Sequence, residues 1–392
     1  MSTESRTTVE GHCDPKFDAV RAAFEANLES GRDCGASVCV TLEGETVVDL
    51  WGGWKDVGRT EPWERDTIAN LWSSTKGMAT VAGHVAADRG LLDFDAPVAQ
   101  YWPEFAQAGK QDVPVKYLFT HQVGLVDFDG EHPDGIALDW HEVCSRLAAT
   151  APQWTPGEDC GYHATTWGWL TGEVTRRAAG VDSFGQFFRD EVAQPLGADF
   201  WIGLPDSEHH RVARVFRERP PEGAPTPPPV LGAMGDPVAA RTGILGIEKY
   251  SASPTSPEWK RAEMPGMNGH GNARGLARVY AAMANGGEFE GVRVMSPEAV
   301  ERSQRVEYTG RDRCLGIPVV RTLGFMKPSM EGDARPPETF GHAGMGGSMG
   351  FADPTRRMSF GYAMNLMAAA SGLSGATDTR GQSLAQAVYT AL

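Results

Sequence analysis

Apolar positions repeat with a regular period at both ends of the chain and only irregularly in its middle. Near the start, a helix is predicted over residues 15–31, with an apolar face made of Phe17, Val20, Phe24 and Leu28. The run 36–54 is apolar and β-branched on both sides of a Glu-Gly pair, which predicts a two-stranded hairpin. A second helix is predicted over about 74–89, where a glycine ends it.

The same regularity returns in the last third of the chain. Helices are predicted over 273–285 and 379–391 because apolar residues again recur at helical spacing. Between these helices, short strand-like runs occur at 292–296, 322–327, 346–354 and 356–367. The last two runs flank an Asp-Pro-Thr-Arg turn and predict a second hairpin.

Residues 110–265 differ, because short helical patterns alternate there with irregular loops. Helices are predicted at 140–150, 165–179 and 183–194. A proline-rich connector at 218–230 can continue neither a helix nor a sheet ladder. Strands at both chain ends and helices in the middle predict an α/β (α+β) fold with one antiparallel sheet and a helical insertion. We therefore predict a sheet domain of residues 1–110 and 266–392 and a mostly helical domain of residues 111–265.

Composition narrows the classes of function. The chain has 392 residues and a formal net charge of -15, from 36 Lys+Arg and 51 Asp+Glu. Phosphate binding needs clustered Lys and Arg, and no basic run occurs, so nucleic acid is not an expected partner. The first residues lack the features of a secretory signal, and no stretch approaches the roughly 18 apolar residues of a membrane span. The 6 cysteines lack Cys-x-x-Cys spacing, so we expect reduced thiols and a cytoplasmic protein.

Phosphate-binding and metal-binding motifs are missing from the sequence. Neither a P-loop nor a G-x-G-x-x-G after a strand occurs. His141-Glu142 lacks the second histidine of a zinc helix, and His209-His210 is a pair beside acidic residues, typical of a solvated loop. No metal and no other cofactor is therefore expected.

One motif of the α/β-hydrolases is present but lies in the wrong context. Residues 346–350 fit G-x-S-x-G, which in those enzymes requires a strand, a tight turn and then a helix. Here a hairpin pattern follows. The last histidine, His342, precedes Ser348, so a triad histidine cannot follow the serine. We therefore interpret Ser348 as a residue of a glycine-rich strand.

A serine and a lysine lie one turn apart at the start of the helix predicted over 74–89. Residues three apart share a helix face, so the side chains of Ser73 and Lys76 can touch. A serine hydroxyl needs a neighbouring base, and a lysine is a base only when burial or nearby positive charge keeps it neutral. The helix N-terminus would also stabilise an oxyanion. The alternative, which this stretch alone favours, is a Ser N-cap followed by a solvated lysine.

Two later stretches favour the catalytic interpretation. Tyr162 lies in a glycine-bounded loop just before a predicted helix. Residues 340–354 are predicted as one strand of small residues, whose backbone can approach a substrate closely. Taken alone, Tyr162 is more typical of a packed aromatic ring, and His342, in the second stretch, of a hydrogen-bonded polar group. The order S-x-x-K, tyrosine, glycine-rich strand is much more specific.

With these motifs, the sequence resembles the serine β-lactamase/penicillin-binding-protein superfamily, and within it the family VIII carboxylesterases. The resemblance extends from about residue 17 to the C-terminus. It rests on SSTKG (73–77), LDFDAPVAQYWPEF (92–105), YLFTHQVGL (117–125), WTPGEDCGYHA (154–164), NGHGNARGLARVYAAM (268–283) and FGHAGMGGSMGFADP (340–354). It implies a β-lactamase/transpeptidase-like fold with the active site between the sheet domain and the helical domain.

The resemblance also implies roles for the matching residues. Ser73 matches the nucleophile, and Lys76 and Tyr162 match the general base pair, which we expect to titrate as one coupled unit. The N–H groups of Ser73 and of a second residue match the oxyanion hole. That second residue is Met345, and His342, Ala343 and Gly344 match the third motif.

Two departures from the β-lactamases point to a different substrate. The Asn of their Tyr-x-Asn motif is Ala164 here, and the Lys of their Lys-Thr-Gly motif is His342. The amide and the ammonium that bind a β-lactam are therefore absent, whereas neutral esters need neither. The resemblance thus implies a carboxylesterase that hydrolyses a small-molecule, short-chain acyl ester through an acyl-enzyme.

Three other functions compete with this interpretation. An acyltransferase would use the same acyl-enzyme, with an alcohol or amine replacing water. A β-lactamase or D-amino peptidase fits less well because the Asn and Lys are missing. A non-catalytic binding scaffold is disfavoured because the serine, lysine and tyrosine are all present. The sequence carries no signal for the natural substrate or the oligomeric state.

Overall fold

Both ends of the chain contribute strands to one sheet in the computed structural model, which describes residues 8–217, 236, 238, 241, 253–368 and 378–392. The strands in these residues are β1 (Val9–Cys13), β2 (Gly35–Leu42), β3 (Glu45–Gly53), β4 (Ala69–Asn70), β5 (Phe200–Trp201), β6 (Phe216–Arg217), β7 (His270–Gly271), β8 (Glu288–Phe289), β9 (Val292–Arg293), β10 (Val306–Arg311), β11 (Pro318–Thr322), β12 (Met326–Lys327), β13 (Phe340–Ala343), β14 (Met349–Asp353), β15 (Met358–Met364) and β16 (Leu366–Met367).

The main sheet has 9 strands in the order β1-β3-β2-β15-β14-β13-β12-β11-β10. Every neighbouring pair in it is antiparallel. Strand β2 pairs with β15, which places Val38 opposite Tyr362 and joins the two ends of the chain. The predicted antiparallel sheet and both predicted hairpins are therefore confirmed.

Helices cover both faces of this sheet. The α-helices of the described residues are α1 (Asp18–Glu29), α2 (Ser74–Asp88), α3 (Val98–Tyr101), α4 (Lys116–Phe119), α5 (Trp140–Ala149), α6 (Trp167–Ala179), α7 (Phe184–Phe188), α8 (Pro257–Arg261), α9 (Ala273–Ala284), α10 (Pro297–Ser303) and α11 (Thr379–Ala391). Helices α1 and α11 pack together over one face, where Val38, Val40 and Phe360 join their apolar core. Helix α9 packs on β2, β14 and β15 from the other side.

Three strands were missed in the sequence, and one sequence prediction is wrong. Strands β1 and β10 were not predicted, because they form the two edges of the sheet and many of their side chains are exposed, so neither shows apolar alternation. Strand β11 was also missed. The single glycine-rich strand predicted over 340–354 is wrong: β13 and β14 are two antiparallel strands joined by a tight turn. Glycines lack the side chains whose pattern would mark that turn.

Other predictions on the middle of the chain have mixed outcomes. The helix predicted over 183–194 is α7 followed by a π-helical turn at Arg189–Ala193. The proline-rich connector at 218–230 lies outside the described residues. The division into a sheet domain and a helical domain stays a prediction. Within the described part of the chain, no helix combines the length and apolar character needed to cross a membrane.

Candidate active site

Ser73 and Lys76 meet inside the protein at the start of α2. Ser73 occupies the N-cap position, but its side chain makes no capping hydrogen bond. Its residue is 6% exposed and Lys76 is 0% exposed. The Lys76 Nζ atom lies 3.3 Å from the Ser73 Oγ atom. The N-cap and solvated-lysine interpretation is therefore wrong, because the hydroxyl is not used as a cap and the amine is buried beside it.

Two main-chain carbonyls hold the amine of Lys76. Lys76 Nζ donates to the carbonyl oxygens of Ala164 and Gly266, each at 2.8 Å. Burial, followed by the positive charge of Arg321, lowers the pKa of Lys76 well below its ordinary value. A neutral amine has two hydrogens and one lone pair. In that form, with both hydrogens bound to carbonyls, the lone pair is left for the hydroxyl of Ser73.

Tyr162 lies against the same amine. Its residue is 1% exposed, and the centre of its ring is 5.0 Å from Lys76 Nζ. Burial raises the pKa of Tyr162 above its ordinary value, while the neighbouring Ser73 hydroxyl and the charge of Arg321 oppose the rise. The Tyr162 hydroxyl nevertheless has no hydrogen bond of normal geometry with a described residue. At neutral pH it is therefore a phenol with an unused donor.

The loop that carries Tyr162 is fixed through its backbone. The N–H of Gly161 donates to the His121 carbonyl at 3.1 Å, and that of His163 donates to His121 Nδ1 at 3.0 Å. Between them, the N–H of Tyr162 donates to Asp312 Oδ1 at 2.9 Å. His121 itself has a φ of 63°, a left-handed conformation that is strained for a non-glycine residue. Strain of this kind is typical of functional sites.

His342 faces Tyr162 from β13. Its ring centre lies 6.2 Å from that of Tyr162 and the residue is 2% exposed. His342 Nδ1 lies 2.9 Å from the carbonyl oxygen of Ala343, whereas Nε2 has no partner among the described residues. Burial is the largest cause that lowers the pKa of His342, to about 3. His342 is therefore neutral in the physiological range and supplies no cation.

The turn between β13 and β14 lies directly against the start of α2. A Cβ on Gly344 would lie 2.3 Å from the carbonyl oxygen of Leu71, so this close approach requires glycine. The next residue, Met345, packs against the core that includes Leu71. Among the described residues, none accepts a hydrogen bond from the N–H of Ser73 or of Met345. No described residue therefore occupies either of these N–H groups.

Ser348 has a different role in the same region. Its hydroxyl is buried and donates to the Leu71 carbonyl at 2.9 Å. The hydroxyl oxygen of Ser74 lies 3.0 Å from it. Strand β14 follows at once, where a nucleophile elbow needs a helix. Ser348 thus connects the glycine turn to the start of α2, as expected for a strand residue and not for a nucleophile.

The structure thus brings Ser73, Lys76, Tyr162 and His342 together, with the Gly344–Met345 turn beside them. Sequence reasoning missed the partners that fix them. The carbonyls of Ala164 and Gly266 have no sequence signal, because every residue has a carbonyl. His121 lies in a stretch noted for its family resemblance, but a backbone conformation cannot be read there. Asp312 and Arg321 lie outside the matched motifs.

This chain is similar to known proteins in both sequence and structure. The sequence model of the Beta-lactamase family matches residues 20–382. The esterase/beta-lactamase LipL of Mycobacterium tuberculosis is 35% identical over 364 residues, covering 91% of this chain and 82% of that protein. A crystal structure of a family VIII carboxylesterase is 40% identical, with a TM-score of 0.87, covering 98% of this chain and 100% of the other.

A second solved structure is similar to this chain to about the same degree. A penicillin-binding protein homologue from Caulobacter crescentus is 39% identical, with a TM-score of 0.89, covering 98% of this chain and 100% of the other. The family model spans nearly the whole chain, including the helical middle and every described strand of the main sheet except β1. This chain therefore belongs to the Beta-lactamase family.

Proposed function

We propose that this chain is a serine carboxylesterase that hydrolyses neutral, short-chain acyl esters through an acyl-enzyme on Ser73. One observation carries the proposal: the Lys76 amine lies 3.3 Å from the Ser73 hydroxyl while two carbonyls occupy its other hydrogen-bonding positions. The esterase part also agrees with the name of LipL and with the family VIII carboxylesterase structure.

The proposed reaction follows from the protonation states in the site. Neutral Lys76 accepts the hydroxyl proton as Ser73 Oγ bonds to the ester carbonyl carbon. The N–H groups of Ser73 and Met345 bind the resulting oxyanion. Tyr162 donates its phenol proton to the departing alcohol and regains one from Lys76, so the pair ends as it began. Water then cleaves the acyl-enzyme by the same steps in reverse order.

The third motif explains why a neutral ester is the proposed substrate. His342 is uncharged and Ala164 carries a methyl group, so neither replaces the ammonium or the amide that the β-lactamases offer their substrates. Losing one charged hydrogen bond costs roughly 1.5–3 kcal/mol, or about one to two decades in rate. An ester without a carboxylate or a side-chain amide loses nothing.

In this proposal the site lies between the two predicted domains. Ser73, Lys76 and His342 belong to the sheet domain of residues 1–110 and 266–392. Tyr162 belongs to the helical domain of residues 111–265. The catalytic pair would thus be completed only where the two domains meet.

A kinetic panel on one enzyme preparation tests the proposal. We expect kcat/KM for p-nitrophenyl acetate or butyrate to exceed that for nitrocefin or penicillin by at least about tenfold. Turnover of a β-lactam that matches the best ester would contradict the proposal and favour a β-lactamase. Repeating the ester assay with an added alcohol measures acyl transfer, because a transferase would form the new ester in place of the free acid.

A further inference from the structure

A cation is buried against the ring of Tyr162. Arg321, on β11, is 1% exposed, and its guanidinium carbon lies 5.4 Å from the centre of that ring. Lys76 Nζ lies 5.0 Å from the same centre. The ring of Tyr162 is therefore in contact with both the fixed charge of an arginine and the titratable amine of a lysine.

Asp312 holds Arg321 in this position. The Arg321 guanidinium donates to Asp312 Oδ2 at 2.6 Å, and its Nε donates to the sulfur of Cys160 at 3.2 Å. The other oxygen, Asp312 Oδ1, accepts from the N–H groups of Tyr162, Cys314 and Leu315. The buried carboxylate of Asp312 thus binds both the guanidinium of Arg321 and the backbone N–H of Tyr162. Burying such a pair is costly unless its geometry is satisfied, which here it is.

We infer that Arg321 is a positioning residue of the reaction proposed above: anchored by Asp312 beside Tyr162, its permanent charge opposes protonation of Lys76 and keeps the amine available as a base. The inference rests on the proposed function, because it assigns a role within the same site. It also explains how the site works without a charged third motif, since His342 is neutral.

The other titratable groups around Lys76 do not supply this charge. His342 from β13 and His163 from the Tyr162 loop both have pKa values lowered by burial to about 3, and burial lowers the pKa of His121 well below its ordinary value. These three histidines are therefore neutral at pH 7. At Tyr162, burial is the largest cause that raises the pKa, and the charge of Asp312 raises it further while the charge of Arg321 lowers it.

Arg321 acts on both members of the base pair in one direction. After burial, its charge is the second cause that lowers the pKa of Lys76, and it also counters the rise at Tyr162. A positive charge favours the deprotonated form of each group. Removing it should therefore move the acid limb of the pH–rate profile to higher pH, whereas a purely structural role should lower the rate equally at every pH.

The test compares wild type with Arg321→Lys, which keeps the charge, and Arg321→Gln, which removes the charge but can still donate to Asp312. Arg335→Gln is the matched control, because Arg335 also forms an ion pair of largely buried side chains, with Asp333 in the connection between β12 and β13. Two rates are measured from pH 5.5 to 10.5: kcat/KM for p-nitrophenyl acetate, and labelling of Ser73 by a fluorophosphonate, followed by intact mass. Circular dichroism checks the fold of each variant.

We expect Arg321→Gln to shift the acid limb upwards by about one pH unit or more. Below the limb, the variant should therefore react about tenfold more slowly than wild type, and above the limb the two rates should be equal. Arg321→Lys and Arg335→Gln should keep the wild-type limb. A folded Arg321→Gln with an unshifted limb overturns the inference. If Arg321→Gln does not fold, Arg321→Lys is the deciding variant. An acid limb that moves upwards although the charge is retained overturns the inference, and an acid limb that stays in place supports it.

The two readouts separate this inference from the proposed function. Labelling of Ser73 without ester turnover would contradict the esterase proposal, and the pH limb of labelling would still decide the role of Arg321. Ester turnover with unshifted limbs would contradict the role of Arg321 and leave the esterase proposal standing. A protein whose Ser73 is never labelled would overturn both.

Discussion

Two serines of this chain lie in sequence contexts typical of nucleophiles, and the structure surrounds them differently. Ser73 has the amine of Lys76 3.3 Å away, whereas the hydroxyl of Ser348 donates to the Leu71 carbonyl at 2.9 Å. A carbonyl can accept that hydrogen bond but cannot take the proton, so Ser348 has no base among the residues that the structure describes. The comparison teaches that a motif supplies spacing, while the neighbouring acceptor decides whether a hydroxyl can react.

The largest expected effect is at the two serines themselves. Ser73→Ala should lower ester hydrolysis by at least about a thousandfold, because it removes the proposed nucleophile. Ser348→Ala is the matched control and should keep activity within about tenfold, although it leaves the Leu71 carbonyl without its donor. Both are measured as kcat/KM on p-nitrophenyl butyrate. An active Ser73→Ala beside an inactive, folded Ser348→Ala would reverse the comparison.

The next largest loss of activity is expected at Lys76 and not at Lys110, another buried lysine. Lys76→Met should lower kcat/KM by about a hundredfold to ten-thousandfold, because it removes the proposed base. Lys110 is the control: it is also 0% exposed, and its amine donates to the Thr150 carbonyl at 2.6 Å. Lys110→Met should keep kcat/KM within a few-fold. Equal losses in the two variants would mean that burial of a lysine, and not its place beside Ser73, explains the result.

A smaller effect is expected at the tyrosines. Tyr162→Phe should lower kcat/KM by about a hundredfold, because the leaving alcohol loses its proton donor. Tyr280 offers a close control, since it is fully buried and its hydroxyl also lacks a partner among the described residues. The Tyr280 hydroxyl instead lies over Gly77, where a Cβ would be 2.0 Å from it. Tyr280→Phe should therefore retain nearly full activity, and a matching loss would contradict the role of Tyr162.

The smallest effect is a pH dependence of stability. Lysine in the unfolded chain has a pKa of 10.5, while burial and then Arg321 lower the pKa of folded Lys76 well below it. Between these values the unfolded state binds one more proton, so the free energy of unfolding rises with pH by about 1.4 kcal/mol per unit from this residue. Lys76→Met should lose that part of the slope in urea unfolding between pH 8 and 10. Identical slopes in the two proteins would contradict a neutral Lys76.

Much of the fold could be predicted from the sequence, because the helices and the hairpins have clear apolar periods. The helix predicted over 15–31 buries the expected face, with Phe17, Val20, Phe24 and Leu28 all in the core. The sheet edges could not be predicted, because an exposed strand lacks a buried face. The glycine turn between β13 and β14 was missed for a related reason, since glycines carry no pattern.

The side chains of the candidate site could be predicted from the sequence, but the backbone groups that contribute to it could not. Ser73, Lys76 and Tyr162 follow from motif order, and the structure brings them together. The carbonyls that hold Lys76 depend on tertiary packing alone. The role of Arg321 could not be predicted, because it depends on Asp312, which lies nine residues earlier in the turn between β10 and β11 and binds the backbone of Tyr162.

The central claim is that Ser73, and not Ser348, carries the acyl group. The most direct measurement is peptide mapping by mass spectrometry after the wild-type protein reacts with a fluorophosphonate. We predict one label per chain on the peptide that contains Ser73, none on the peptide that contains Ser348, and no label in Ser73→Ala. A label on Ser348 in the wild-type protein, or undiminished labelling of Ser73→Ala, would contradict the account.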